Sequence, residues 1–400
     1  MSGRGDDTAQ ATDCDVLIAG GGLVGLALAP ALAASGLAVA LCDRAPVAAP
    51  GEARDGEWDP RVYAISPGSA VLLRSLGAWQ ALPAERLCAI ESMRVFGDDG
   101  GAIDFDAYDV GERALAWIVE ERALREALVP LVRGAGVAVH APRALGSIVW
   151  TADRGEVRFD DGGSVTARLV VGADGLRSRV RDASGIAAAP VPYGQVAVVA
   201  NFACANPHHG RAHQWFRDDG GILAWLPLPG RRISIVWSAP EALAQELLAL
   251  APAALAARVA AAGDGRLGAL QCITPAAGFP LQFMKLPTVV AHRVALVGDA
   301  AHGVHPLAGQ GVNLGFGDVE ALASVLRERG PVDDPGAPLL LERYARRRAE
   351  PVGAMQAVTD ALAHLFRSRA PAVRSARNLG LAAIGRMPPA RRMLAQSALR

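Results

Sequence analysis

Asp15-Val16-Leu17-Ile18-Ala19-Gly20-Gly21-Gly22-Leu23-Val24-Gly25 is the stretch on which the fold turns. Its apolar run suits a parallel strand buried on both faces. Gly20, Gly22 and Gly25 then stand in G-x-G-x-x-G spacing. The first glycine allows a tight turn, the second lets a pyrophosphate approach the backbone, and the third lets helix and strand pack closely. A helix opening here offers unpaired N–H groups and partial positive charge to phosphates. A second apolar run, Leu37 to Cys42, ends at Asp43 and Arg44. Asp43 lies 18 residues after Gly25, close to where a carboxylate takes ribose hydroxyls. The pattern predicts a βαβ unit that binds a dinucleotide, and leaves NAD and FAD both open. Pro30 falls inside the predicted helix, where it should cost about 3 kcal/mol or bend the axis.

The same segment imitates a membrane span. Residues 16–42 are uncharged and largely apolar, longer than the roughly 20 residues a bilayer requires. Asp6, Asp7, Asp13 and Asp15 precede it, which is wrong for a secretory leader. Clustered glycines, Pro30 and Gly36 punctuate it. A buried strand–helix–strand is the better reading.

Composition sets wider bounds. A chain of 400 residues exceeds one ordinary core, which predicts two domains or one domain with a large insertion. At 51% hydrophobic it is a globular composition, and its zero formal net charge gives no reason to expect a nucleic-acid partner. Residues 340–400 depart from that balance, with twelve arginines against Glu342, Glu350 and Asp360. Such a tail is either a solvated helical face or a contact for anionic lipid. Five cysteines without ligand spacing fit a reduced cytoplasmic compartment, within which the basic tail would allow a peripheral place at the inner face of the membrane.

Two later segments bear on the cofactor. In Arg168–Arg181 an apolar strand ends at Gly172-Ala173-Asp174-Gly175, ahead of a basic helix start. An ordinary Asp-Gly turn would read the same way. The strand Val294–Val297 ends in Gly298-Asp299-Ala300-Ala301-His302, followed by His305-Pro306-Leu307-Ala308-Gly309-Gln310-Gly311-Val312-Asn313-Leu314-Gly315 and a helix. Asp299 at a strand terminus can accept from a sugar-alcohol chain. Glycines from Pro306 to Gly311 let backbone approach a flat ligand, and the helix aims its positive end at the anionic edge of a reduced flavin. Asp299, His302 and His305 also stand three apart like metal ligands, but no second acid or histidine cluster supports a metal.

Taken in order, the three motifs resemble the class A flavoprotein aromatic hydroxylases, the para-hydroxybenzoate hydroxylase-like family. Asp59-Pro60-Arg61-Val62-Tyr63-Ala64-Ile65-Ser66, the long Gly-Asp segment and Arg377-Asn378-Leu379-Gly380-Leu381 resemble its ubiquinone-biosynthesis branch. The resemblance implies FAD as cofactor and NAD(P)H as transient reductant. The implied reaction is a monooxygenation with O2, through a flavin hydroperoxide, of an aromatic ring that carries a polyprenyl tail. A hydroxylase of soluble aromatics, a halogenase, a polyprenyl reductase and a non-catalytic FAD scaffold are the rivals; the halogenase signature Trp-x-Trp-x-Ile-Pro is absent.

Carried over by position, Gly20, Gly22, Gly25 and Asp43, with Arg44 beside it, would hold the ADP half of FAD. Arg61 would lie close to the flavin, Asp174 would serve the Asp-Gly motif, and Asp299 would bind the ribitol. Pro306, Gly309, Gln310, Gly311, Val312 and Asn313 would cover the isoalloxazine, Pro306 and Gly311 being the flavin-loop candidates. Glu121 departs from the family's pattern, where Arg, Gln or Asn meets the cofactor. A carboxylate would be repelled by pyrophosphate, which points to Arg122 or Arg125 for that contact. No triad or paired carboxylates are expected, because the cofactor carries the chemistry.

The expected fold is α/β: a Rossmann-like FAD-binding domain over 14–75, 115–187 and 285–340, with a substrate domain over 76–114 and 188–284. Short strand-like runs at Gln195–Ala205, Ala212–Arg217, Gly221–Leu226 and Arg232–Ser238 predict an inserted antiparallel sheet. Trp215, Trp225 and Trp237 within them read as core. Residues 240–262 predict one amphipathic helix, and 341–400 predict helices broken at Pro371 and Pro388-Pro389.

Overall fold

The computed structural model describes residues 12–49, 51, 56–305, 311–330, 332–367 and 370–398. A sheet in the order Val290–Ala291, Val294–Leu296, Ser164–Gly172, Cys14–Ala19, Val39–Cys42, Ala138–His140 lies at its centre. Neighbours run parallel except for the first pair. Leu17, Ile18, Val170 and Val171 are fully buried, as unbroken apolar runs require. On one face pack the helices Leu23–Ala33, Glu121–Gly134 and Gly311–Arg327. On the other lie the strands Leu145–Trp150 and Gly155–Phe159, an antiparallel meander leading into Ser164–Gly172.

The apolar stretch 16–42 thus resolves into strand, helix and strand. Among the described residues no helix is long and apolar enough to cross a membrane. Pro30 does not end its helix, which runs on to Ala33. Leu26, Leu28 and Leu32 are fully buried in that helix. At roughly 1.5–3 kcal/mol each, they outweigh the proline's cost of about 3 kcal/mol.

A second sheet has the order Leu270–Cys272, Val191–Cys204, Arg232–Pro240, Ile222–Leu228, Arg211–Phe216, Ser92–Phe96, Ala102–Asp106, with Ala277–Phe283 also on Val191–Cys204. It is antiparallel save where Ser92–Phe96 joins Arg211–Phe216. Alternation gives it two apolar faces. Ala212, Ala224 and Leu226 pack toward Ala64, Ile90 and Ile118, while Trp215, Trp225 and Trp237 form a separate core beneath helices. The three tryptophans are core residues, each under a tenth exposed. Residues 240–262 form two helices, Glu241–Ala249 and Pro252–Ala262, instead of the single one expected. Pro252 is the reason: it drives Ala251 to extended backbone and starts a new helix at its own first position.

A three-stranded sheet, Val62–Ile65, Ala116–Glu120 and Cys88–Ile90, joins the two larger ones. The C-terminal helices are Pro338–Arg367, Pro371–Gly385 and Pro388–Ala398, broken at the expected prolines. Much of their basic charge is used internally. Arg343 and Arg347 pair with Glu328, Arg374 and Arg377 with Asp98, and Arg391 with Asp109.

Candidate functional site

The three motifs end strands that are neighbours in the parallel sheet. The glycine loop follows Cys14–Ala19, Asp43 follows Val39–Cys42, Asp174 follows Ser164–Gly172, and Asp299 follows Val294–Leu296. All four sit at the carboxyl edge, where chain order reverses on either side of the first strand. Such a switch point opens the crevice in which doubly wound sheets bind ligands.

Packing requires two of the loop's glycines. Gly20 has φ +118°, and a Cβ there would lie 2.2 Å from the Ala173 carbonyl oxygen. One on Gly25 would lie 1.9 Å from the Gly20 carbonyl oxygen. Gly22 is different: it is exposed, with nothing within 4 Å of an added Cβ. It caps the helix Leu23–Ala33 with no side-chain hydrogen bond and no acid in the first turn. The first N–H groups of a buried helix therefore face open space, a cradle that fits a pyrophosphate.

Asp43 accepts from Gly21 N–H at 2.6 Å and from Ala45 N–H at 2.7 Å, bracing the loop. Each carboxylate oxygen keeps capacity for a further donor. Arg44 is exposed beside it. Arg125 reaches the loop, its Nη1 donating to the Gly21 carbonyl at 2.9 Å. Glu121 turns to Arg61 at 2.7 Å, and Arg122 to Glu57 at 2.9 Å. Of the two arginines considered, Arg125 is the one held against the glycine loop. Glu57, Glu121, Arg122 and Arg125 line an open cleft of about 560 Å³ with Trp58 and Thr274. Arg61 also lies over the Phe279 ring at 4.6 Å, tying this wall to the antiparallel sheet.

Asp174 uses one oxygen to cap the next helix, accepting from Arg179 N–H at 2.7 Å and Val180 N–H at 3.2 Å. Burial pushes its carboxyl up, against the hydrogen bonds. Arg181, buried, donates to the Leu176 and Ala300 carbonyls at 2.9 and 3.2 Å, joining the Asp-Gly and Gly-Asp turns. Gly298 has φ +59° and donates its N–H to Asp318 at 2.8 Å. Asp318, fully buried, also binds His302 Nε2 at 2.7 Å and Arg348 Nε at 2.6 Å. Asp299 itself remains open to solvent while protein surrounds it on most sides, as a side chain lining a cleft does. Burial pushes its carboxyl up, while His302 and Arg61 pull it down.

At the start of the helix Gly311–Arg327, Gly311 is half-buried and Val312 is buried. The Asn313 amide donates to the Ala64 carbonyl at 2.8 Å and accepts from Ser66 N–H at 3.0 Å. Its side chain is thus committed to a backbone clamp, so anything it offers a cofactor comes from its main chain. Pro306, Gly309 and Gln310 lie outside the described residues. His302 and His305 point to different partners, Asp318 and Gln195.

Sequence reasoning missed buried polar residues that organise the site, among them Asp318, Arg348, Glu120 and Asn201. Glu120 accepts from Asp59 N–H at 2.6 Å and pairs with Arg86 at 3.1 Å, while Asn201 donates to the Asp59 carbonyl at 2.8 Å. Together they fix the Asp59–Arg61 segment. An acid amid the apolar positions of a predicted helix, as Asp318 is, was the available signal, because such a charge must find a partner.

A family model described as FAD binding domain matches residues 13–360. The ubiquinone hydroxylase UbiL of Rhodospirillum rubrum is 38% identical over 96% of this chain and 89% of its own length. The 3-demethoxyubiquinol 3-hydroxylase of Escherichia coli is 36% identical, over 96% and 98%. Among solved structures, PqsL of Pseudomonas aeruginosa with 2-aminobenzoylacetate superposes with a TM-score of 0.75, at 25% identity over 92% of this chain and 99% of that one. With the glycine cradle and the shared carboxyl edge, these matches show that the chain belongs to the FAD-binding family of class A flavin monooxygenases.

Proposed function

We propose that this protein is an FAD-dependent monooxygenase that hydroxylates the ring of a polyprenyl phenol or benzoquinol intermediate of ubiquinone biosynthesis, using NAD(P)H and O2. The observation that carries the reading is the meeting of Gly22, Asp43, Asp174 and Asp299 at one carboxyl edge, beside the antiparallel sheet. The ubiquinone hydroxylase and the 3-demethoxyubiquinol 3-hydroxylase, each matched over nearly the whole chain, support the substrate class.

Within this reading, Gly20, Gly22, Gly25, Asp43 and Arg44 serve the ADP half of FAD, with Arg125 near the pyrophosphate. Arg61, Asp299 and the backbone of Gly311, Val312 and Asn313 serve the ribitol and ring. Bound FAD supplies the redox and oxygen chemistry; the chain binds, orients and excludes water. Asp174 and Arg181 keep two of the cofactor turns in register. The segments 14–75, 115–187 and 285–340 form the cofactor unit, 76–114 and 188–284 the substrate unit, and 341–400 a helical appendage. A lipid-tailed substrate makes a membrane surface the natural meeting place. Exposed Leu379, Met393 and Leu394 with Arg392 on the last two helices, and exposed Arg386 and Met387 on the turn between them, form the candidate contact.

The test is the quinone pool of a host lacking the gene. Accumulation of an under-hydroxylated polyprenyl intermediate, converted by the purified protein with one oxygen atom from O2, is the expected result. A normal pool would remove the ubiquinone reading. Substrate-stimulated NAD(P)H oxidation without a hydroxylated product would argue against monooxygenation.

A further inference from the structure

The face of the antiparallel sheet turned away from Ala64 and Ile118 carries a second pocket. His208, His209, Arg211, His213 and Arg266 line it, with a volume of about 380 Å³. We propose that it binds a phosphate-type oxyanion, with the His213 imidazole at its base and the Arg211 and Arg266 guanidiniums at its rim. The site is separate from the cofactor cleft and independent of the reaction proposed above.

Alternation along Arg211–Phe216 sets the location. Ala212 packs toward Ala64 and Ile118, so His213 projects to the opposite side. There it stacks on Trp215, with ring centroids 5.5 Å apart, and meets Trp225 edge-on at 6.4 Å. His213 is only 7% exposed, yet its Nδ1 is buried without a hydrogen-bond partner among the described residues. A neutral imidazole has one donor and one acceptor, and burying either unpaired is unfavourable. Stacking calls for an aromatic ring at this position but leaves the buried Nδ1 of an imidazole unpaired.

Charge supplies the second argument. Burial, then Arg266, Arg211, Arg94 and His208, pull the His213 pKa down to about 4. The positive side chains are only partly balanced. Arg266 has Asp264 at 3.7 Å and Arg94 has Asp104 at 3.8 Å, both loose pairs. Arg211 donates to Ser92 Oγ at 3.1 Å and pairs with no carboxylate among the described residues. Glu91 lies nearby, against Gly210. His208 is committed to the Leu228 carbonyl and Gly210 N–H. His209 is held at φ +51°, an uncommon conformation for a residue with a Cβ. An oxyanion would neutralise the excess charge, accept from both guanidiniums, and let the imidazole keep a proton. Arginine forks suit the tetrahedral oxygens of phosphate.

The experiment is a titration of the FAD-loaded protein with inorganic phosphate, against chloride and acetate at matched ionic strength. Calorimetry and the His213 imidazole NMR signal are the readouts. Saturable binding of phosphate is expected, with the His213 titration moved to higher pH. Arg211→Gln and Arg266→Gln, both at exposed positions, should each weaken it roughly tenfold, leaving flavin content and hydroxylation unchanged. A response that never saturates, equals that of chloride, or survives both substitutions would overturn the site. Saturation by acetate at lower concentration than phosphate would overturn the phosphate assignment in favour of a carboxylate.

Discussion

Single residues in the glycine loop separate two roles that the spacing alone merges. Packing needs Gly25, whereas Gly22 is needed only for the ligand of the proposed reading. Gly25→Ala puts a methyl 1.9 Å from the Gly20 carbonyl oxygen; by overpacking it should cost about 1–3 kcal/mol of stability. Gly22→Ala meets nothing within 4 Å, so the melting temperature should hold while FAD affinity falls at least roughly tenfold, as backbone approach to the pyrophosphate is lost. Thermal unfolding of the apoprotein and flavin titration separate the two. Equal loss of stability in both variants would refute the distinction. Buried charge was less legible than glycine spacing. Nothing in the sequence paired Asp318 with His302 and Arg348, 16 and 30 residues away. Burial alone would pull the His302 imidazole down, but the charge and hydrogen bond of Asp318 raise it above its ordinary value. Asp318 is lowered: burial opposes its charged form, but His302 and Arg348 prevail. The raised histidine contributes stability that is whole below pH of about 6.5 and fades as pH rises through its folded value. The lowered aspartate contributes stability that is whole above pH of about 4 and is lost as pH falls through its folded value. Melting temperature should therefore decline on the alkaline side, and His302→Gln should flatten that decline. Asp318→Asn, leaving Arg348 facing a neutral partner, should cost about 3–5 kcal/mol.

At the scale of elements, period and punctuation made most of the fold readable. The four strand-like runs between 195 and 238 became strands, and the breaks at Pro371 and Pro388 stand in the structure. Pro30 and Pro252 show why the same residue reads differently in two places. Pro30 lies in a helix whose burial exceeds the loss of one hydrogen bond, whereas Pro252 follows an extended Ala251 and begins a helix. Propensity does not know the burial. Long-range joints were invisible for a related reason, since a clamp such as Asn313 on Ala64 and Ser66 spans 249 and 247 positions. Asn313→Ala should cut this joint between the helix Gly311–Arg327 and the strand Val62–Ile65. The Ser66 N–H and Ala64 carbonyl would lose their partner, at about 1–3 kcal/mol. Hydrogen exchange at residues 62–66 should rise and FAD affinity fall together. Faster exchange with unchanged FAD affinity would confine Asn313 to the fold.

For the whole molecule, the excess of positive charge in residues 340–400 reads as either a solvated helical face or a membrane contact, and the structure narrows the choice. Arg348 is sunk against Asp318, and Arg374 and Arg377 grip Asp98, so deleting the segment would strip interior partners along with any surface. Point changes are the cleaner probe. Arg386 and Met387, on the turn before the last helix, and Arg392, Met393 and Leu394, within it, are all exposed, a mixture of charge and apolar bulk suited to a membrane interface. Each arginine near an anionic surface is worth about 1 kcal/mol. Replacing both with glutamine should therefore lower partition onto anionic vesicles roughly 30-fold. Hydroxylation of a short-tailed, water-soluble substrate should be untouched, because neither residue lies at the cofactor cleft. Partition that survives the double replacement, or that is equal on neutral vesicles, would leave the C-terminal helices as a brace for the strand Ala102–Asp106, against which Pro371–Gly385 packs. A lipid-tailed substrate would then have to reach the enzyme by another surface.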